Sequence, residues 1–336
     1  MLYHLTKFYI KIALHLFYKD IKVTYKTPIP NDKAILFVAN HQNAMLDPLV
    51  IGTTQKTPLY FLARAAAFKH KIGAYLLDKI HAIAIYRVRD GVDSKKKNKA
   101  VFARVLSLLN KNKTILIFPE GSHSMKRQIR PLRYGFTQIV FDYLQANPNK
   151  EFLIIPVGLN YTNTIHFGAS VHVIYGKPIR VNELVSFTDL AKTKALLIQT
   201  VTESLQAITV HIPDTDYDVI HHKISIDAFL NPEETNKKIS KNTLEKPLSK
   251  KVKSNLFYLL MQINSIFPLL IWYWLKPKIA QKEFLSTFKF ALGITAFPLF
   301  YLLQSLLINH FFGCFLALVY LLFSVVLVII SKHKKN

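Results

Sequence analysis

Short runs of two kinds alternate through the first two thirds of the chain. Runs at 34–39, 59–63, 82–86, 114–118, 152–157 and 171–175 are apolar and rich in β-branched or aromatic residues, the pattern of buried strands. Between most of them lie stretches with helical spacing, at 46–54, 66–79, 95–110 and 133–145, and another at 191–208 follows the last strand. This alternation predicts an α/β fold, a sheet with covering helices.

The two ends differ from this body. Leu2, Leu5, Phe8, Tyr9, Ile12, Leu16 and Phe17 recur at helical spacing with Lys7, Lys11, His15 and Lys19 between them. That predicts an amphipathic helix over 1–19 lying on a membrane, with packing on the body as the alternative. Lysines break its apolar run and no small-residue cleavage site follows, so it does not read as a signal peptide.

At the other end, residues 290–330 pass without one Lys, Arg, Asp or Glu. That length allows two spans of about 20 residues each, expected at 290–308 and 311–330. A third uncharged stretch, 255–275, carries Gln262, Asn264 and Pro268 and closes on Trp272, Tyr273 and Trp274. Lysines precede it (Lys250, Lys251, Lys253), follow it (Lys276, Lys278, Lys282, Lys289) and recur at Lys332, Lys334 and Lys335. Two crossings, with 255–275 re-entrant or interfacial, keep all three groups on one side, whereas three crossings put the second and third groups outside. The positive-inside bias favours two.

The expected domains are therefore the helix at 1–19, an α/β domain at 20–212, a linker at 213–254 and a membrane-embedded region at 255–336. The linker has few large apolar residues and seven lysines between Lys237 and Lys253, and reads as loosely structured and held near lipid by charge.

Charge narrows the class of partner. Forty-four Lys and Arg against 20 Asp and Glu give +24, in a chain that is 51% hydrophobic. Nucleic-acid binders share the charge but seldom the hydrophobicity, and the aromatics here sit in apolar runs, not between basic residues as stacking platforms. Anionic membrane lipid is the expected partner, and no nucleic acid. The one cysteine, Cys314, closes no internal disulfide and excludes a Cys₂ or Cys₄ zinc site. No metal is expected.

Four constellations can carry chemistry. In the first, a strand ends at Ala39 and is followed by Asn40, His41 and, at a helix start, Asp47; a carboxylate that holds one imidazole nitrogen leaves the other to act as a base. In the second, the strand at 114–118 runs into Pro119, Glu120, Gly121, Ser122 and His123, with Lys126, Arg127, Arg130 and Arg133 close behind. Its turn amides and basic residues suit a phosphate, although an ordinary turn beside a solvated loop fits as well. The third is the strand end at Arg87 and Arg89, where guanidinium groups suit bidentate phosphate capture, with solvated strand-end arginines as the commoner alternative. The fourth is the run 154–161, whose Pro156 and Gly158 read as a sheet edge and turn.

In this order the four blocks resemble the glycerolipid acyltransferase family, which includes bacterial 1-acylglycerol-3-phosphate acyltransferase and glycerol-3-phosphate acyltransferases. The resemblance covers roughly residues 20–210. It implies that family's α/β fold, a mixed sheet flanked by helices, to which this chain adds C-terminal transmembrane helices. It implies His41 and Asp47 as the catalytic pair, with Asn40 in the same block. It assigns Arg87, Glu120, Gly121 and Ser122 to the acyl acceptor, and the block of Pro156 to the acyl-donor side.

The implied mechanism is direct transfer. His41 takes a proton from a glycerol hydroxyl, which attacks the thioester of acyl-CoA or acyl-carrier protein. General-base help of this kind contributes about 10²–10⁴ in rate, and the turn amides near Gly121 are an expected source of oxyanion donors. No cofactor is implied beyond the acyl donor as co-substrate. The expected acceptor is a lysophospholipid, 1-acylglycerol-3-phosphate giving phosphatidic acid. Glycerol phosphate or a lyso-aminolipid is the alternative, and a non-catalytic basic membrane or nucleic-acid-binding protein is the other class. The expected location is integral to the membrane, with the catalytic domain on the cytoplasmic face. Two departures from the family's blocks stand out: five residues, not four, separate His41 from Asp47, and His123 holds a position where arginine is common.

Overall fold

The computed structural model describes residues 2–87, 93–245 and 256–332. Arg89, the lysines at 246–253 and those at 334–335 lie outside the described residues. Eight strands make one sheet: β1 (Asp20–Tyr25), β2 (Ala34–Ala39), β3 (Leu59–Arg64), β4 (Ala82–Ile85), β5 (Thr114–Ile117), β6 (Phe152–Tyr161), β7 (Ser170–Tyr175) and β8 (Ile179–Arg180). Their order is β1-β7-β6-β2-β5-β3-β4, with β8 beside β6. Neighbours from β6 through β2, β5 and β3 to β4 are parallel, β7 and β8 run antiparallel to β6, and β1 is parallel to β7. The sheet is mixed and mostly parallel, in an α/β fold.

The period of two along β2 sorts its side chains into two cores. Ile35, Phe37 and Ala39 face the first, with α1 (Leu2–Phe17) and α2 (Leu46–Thr54). Ala34, Leu36 and Val38 face the second, under α4 (Ser94–Leu109), α5 (Gly135–Ala146) and α6 (Leu190–Ile208). Both faces are covered, so every residue of β2 and β6 is buried, and the runs are apolar except for Asn160. The helix expected at 66–79 is divided into a 3₁₀ turn (Ala65–Phe68) and α3 (Lys71–Lys79). The edge strand β1 was not among the expected strands.

Three further expectations change. The run 154–161 is no sheet edge: β6 continues through Pro156 and Gly158 between β2 and β7. Pro156 accepts from the Gly176 N–H at 2.8 Å. Because N and C=O of one strand residue point to the same side, the missing N–H falls where the neighbour changes from β8 to β7 and no ladder bond is lost. Gly158 is needed because a Cβ there would lie 2.3 Å from the carbonyl oxygen of Ile208.

The second change is α1. Ile10, Ala13, Leu14 and Phe17 are buried on the body, while Leu2, Leu5, Phe8, Tyr9 and Ile12 stay exposed. The helix is apolar on two faces, and the alternative of packing on the body describes the buried one.

The third is the linker. Its described part folds into α7 (Tyr217–Lys223), a 3₁₀ turn (Ile226–Leu230) and α8 (Pro232–Ser240), docked through a small core of Val210, Ile212, Ile224 and Phe229. Asn236 Nδ2 donates to the carbonyls of Gln206 and Thr209, at 2.9 and 2.8 Å. A few apolar anchors and backbone bonds order a segment too polar to predict from its composition.

Five helices complete the described chain: α9 (Leu256–Asn264), α10 (Ile266–Leu275), α11 (Leu285–Ile294), α12 (Ala296–Phe312) and α13 (Cys314–Ser331). Two stretches, Lys282–Phe312 and Cys314–Ser331, are long and apolar enough to cross a membrane; the pair α9 and α10 counts as a third only if taken together, and it is bent by 85°. Gly313, at φ +87°, turns α12 into α13, and Ser305 Oγ donates to the Ala317 carbonyl across the hairpin at 3.1 Å.

Candidate active site

Parallel strands bring their C-terminal ends to one edge, and three of the four sequence blocks begin there. β2 delivers Asn40 and His41, β5 delivers Glu120 to Ser122, and β4 delivers Arg87. Register places Phe37, Leu116, Phe61 and Ala82 at one level across the sheet, so His41, Glu120 and Arg87 leave the same edge.

His41 and Asp47 meet. Nδ1 of His41 lies 2.8 Å from Oδ2 of Asp47, which is fully buried at the start of α2. The same oxygen accepts the backbone N–H of Gln42 and Asn43, each at 2.8 Å, and Oδ1 accepts the Tyr161 hydroxyl at 2.7 Å. The extra residue between the pair is absorbed in a turn where Ala44, at φ +37°, takes a left-handed conformation unusual for a residue with a Cβ. Four donors thus satisfy the oxygens of this buried carboxylate. With Nδ1 engaged, Nε2 is the ring nitrogen left to move a proton. The ring stacks on Phe118, centroids 4.1 Å apart, and meets His123 edge-on at 5.6 Å.

Asn40 and Glu120, read from sequence as touching substrate, spend their polar groups inside the protein. Asn40 bonds both backbone groups of Leu159, tying β2 to β6. Glu120 is buried, accepts from Arg130 Nε at 2.6 Å and faces the His41 N–H at 3.4 Å. Burial raises its pKa, and Arg130 acts in the opposite direction. Arg130 also donates to the side chain and carbonyl of Ser122, so it locks the turn. Gly121, at φ +73°, donates its N–H to Phe118 at 3.1 Å, so that amide is not an oxyanion donor. Pro156 sits within the core strand.

Arg87 lies three strands from β2, about 14 Å across at a strand spacing of about 4.8 Å. Arg87 and His41 share the edge. The basic run after Glu120 divides: Arg127 and Arg130 are engaged inside the protein, while Lys126 and Arg133 are exposed. Arg127 is buried, donates to Gln42 Oε1 at 2.8 Å and lies over the Phe229 ring at 4.6 Å, and burial lowers its pKa to about 10. Lys126 reaches Asp214 at 3.5 Å.

Four residues of the site carry no local signal in the sequence. Tyr161 comes from β6, and Tyr18, just after α1, receives Asn43 Nδ2 at 3.2 Å. Burial, with the Asp47 charge second, raises both phenols well above their ordinary pKa, so they remain protonated. Gln281 and Phe284 come from the segment before α11: Gln281 Oε1 lies 3.0 Å from His123 Nε2, and Phe284 packs edge-on against the His123 ring at 4.9 Å. Among the described residues no group of three or more His, Cys, Asp or Glu could hold a metal ion.

Residues 20–160 match the family model described as Acyltransferase. Over 126 residues the chain is 29% identical to glycerol-3-phosphate O-acyltransferase 1 of Saccharomyces cerevisiae, covering 36% of this chain and 17% of that one. Over 147 residues it is 29% identical to a probable 1-acyl-sn-glycerol-3-phosphate acyltransferase of Mycoplasma pneumoniae, covering 40% of this chain and 51% of that one. The matched segment thus spans at most about half of these relatives. The crystal structure of the 1-acyl-sn-glycerophosphate acyltransferase PlsC from Thermotoga maritima covers 61% of this chain and 80% of its own at 19% identity. Its TM-score of 0.40 is too low for that likeness to bear on the site.

Proposed function

We propose that this protein is a membrane-bound O-acyltransferase that moves a fatty acyl group from a thioester donor, acyl-CoA or acyl-carrier protein, to a glycerol hydroxyl of a lysophospholipid. The favoured acceptor is 1-acylglycerol-3-phosphate. The observation that carries this reading is His41 held by a buried, four-donor Asp47 inside an acyltransferase-family domain. His41 Nε2 accepts the hydroxyl proton as the oxygen attacks the thioester carbonyl. Asp47 keeps the ring in the required tautomer and stabilises the imidazolium. The thiolate then leaves, taking up the proton held by His41, and no further cofactor takes part.

The apolar helices and the net charge of +24 support residence in an anionic membrane, with the catalytic domain on the cytoplasmic face. Two alternatives for the acceptor have specific support. Similarity to the yeast glycerol-3-phosphate enzymes favours glycerol-3-phosphate. The internal engagement of Arg127 and Arg130 favours an acceptor without phosphate, such as a lyso-aminolipid.

The test is a mass-spectrometric product screen of the full chain in membranes, each acceptor offered with each donor. Phosphatidic acid from 1-acylglycerol-3-phosphate is the expected product, absent with His41→Ala, for which the expected loss is at least about 10²-fold. No acyl product with any acceptor, or more than a tenth of the rate in His41→Ala, would overturn the reading.

A further inference from the structure

A cavity of about 640 Å³ lies between α1 and the C-terminal helices, lined by residues outside the family-matched segment. Ile12 and Phe17 of α1, Met261 of α9, Phe290 and Ile294 of α11 and Val325 of α13 line it. Its volume falls in the range of small-molecule sites, about 300–1,000 Å³. Its lining is mainly apolar, with Lys289, His166 and Gln262 also on the wall, which suits a largely apolar ligand.

Two contact chains join it to the catalytic pair. Phe290 packs edge-on against Phe17 at 5.6 Å and Phe17 against Tyr18 at 5.1 Å; Tyr18 holds Asn43, two residues from His41. From the other side, Phe284 touches His123, which touches His41. The six residues from Phe284 to Phe290 advance about 9 Å along a helix.

Resting on the function proposed above, we infer that this cavity holds the acyl chain of the lipid acceptor. The glycerol end lies at His41 Nε2, and the chain runs past Phe284 into the space beside Phe290. The occupant is the acceptor's chain because helices long and apolar enough to cross a membrane form the wall, and the lipid acceptor resides in that membrane while the thioester carrier is water-soluble. The tail is then part of the substrate site as well as an anchor.

Gly293 allows the test. It lies in the wall of the cavity, and a Cβ there meets no atom within 4 Å. Leucine and phenylalanine are also better helix formers than glycine, so Gly293→Leu and Gly293→Phe fill space without breaking α11.

With the full chain in bilayers, kcat/KM is compared for long- and short-chain 1-acylglycerol-3-phosphate at one fixed donor, then for long- and short-chain donors at one acceptor. The acceptor's long-to-short ratio should fall by about tenfold or more, further for Phe than for Leu. The donor ratio should hold. Leu303→Phe, on an exposed face of α12, should leave both ratios as in the wild type. An unchanged acceptor ratio in both Gly293 variants, or a fall in the donor ratio instead, overturns the inference.

A lysolipid with a photoreactive group at its chain end gives a readout that needs no turnover. It should mark the residues around Ile294 and Met261 in the wild type and lose those marks in Gly293→Phe, while background marks on α12 persist. Equal marking in both proteins overturns the site. Marking that follows the prediction, with no acylation of any glycerolipid, would retain the site and reject the activity.

Discussion

Tyr161 donates its hydroxyl to Asp47 Oδ1 at 2.7 Å, and the opposite oxygen of that carboxylate holds His41. The two residues are 114 positions apart and meet because β6 lies beside β2. The phenol remains a donor because burial and the Asp47 charge both oppose its ionisation.

Tyr161→Phe removes this donor and leaves Oδ1 buried without a partner. A hydrogen bond to a charged group is worth about 1.5–3 kcal/mol, and a stability loss of that size is expected in denaturant unfolding. A double-mutant cycle with Asp47→Asn should give a coupling of about 0.5–3 kcal/mol. Additive losses would mean that Tyr161 acts only by packing.

Arg127 separates stability from activity. It is a buried cation, and among the described residues no carboxylate pairs with it; its guanidinium holds Gln42 inside the His41–Asp47 loop. Replacing buried charge with apolar volume is often neutral or stabilising, by about 1–4 kcal/mol where it helps. Arg127→Met should therefore keep or raise the melting temperature while lowering kcat, because Gln42 loses its anchor. Parallel thermal scans and initial rates check this; a melting temperature that falls together with kcat would assign Arg127 to the core alone.

His123 sets a pH dependence with a definite sign. Burial, the largest cause, lowers its pKa from 6.5, against the raising effect of its bond to Gln281. The folded protein therefore binds this proton less readily than the unfolded chain. The stabilising contribution is complete above pH 6.5 and is lost as pH falls through the lowered folded value. His123→Gln keeps a polar side chain and removes the titration. Between pH 8 and pH 5 its melting temperature should fall less steeply than that of the wild type, and parallel curves would reject this role for His123.

The bent pair of α9 and α10 bears on topology. The chain leaves the catalytic domain after α8 and, beyond the pair, Gln281 is again in contact with His123. Lys332, after the hairpin of α12 and α13, bonds the His15 carbonyl at 2.6 Å. Two crossings are expected. In a Cys314→Ser background, single cysteines at Ala280 and Asn336 should resist an impermeant thiol reagent applied outside intact cells. Labelling of either one from outside would require a third crossing.

The sequence by itself determined what depends on near neighbours along the chain. The period-two and helical runs specified β2, α2 and α6 almost to the residue, because burial pattern and backbone period are the same information. His41 and Asp47 were legible as a candidate pair at a strand end and a helix start, and the resemblance carried by the four ordered blocks singled them out. Only the tertiary structure decided which polar groups were free. Asn40, Glu120, Arg127 and Arg130 look available in a list of residues, yet Asn40 is engaged by β6, Arg127 by the loop after β2, and Glu120 and Arg130 by each other. Tyr161, Tyr18 and Gln281 join the site through sheet order and docking of the tail, which no local pattern encodes. The same holds for the described part of the linker, 213–245, where Ile224 and Phe229 gain a core only once Val210 and Ile212 are beside them. Local period specifies elements; the partners of buried polar groups are set by packing between elements distant in sequence.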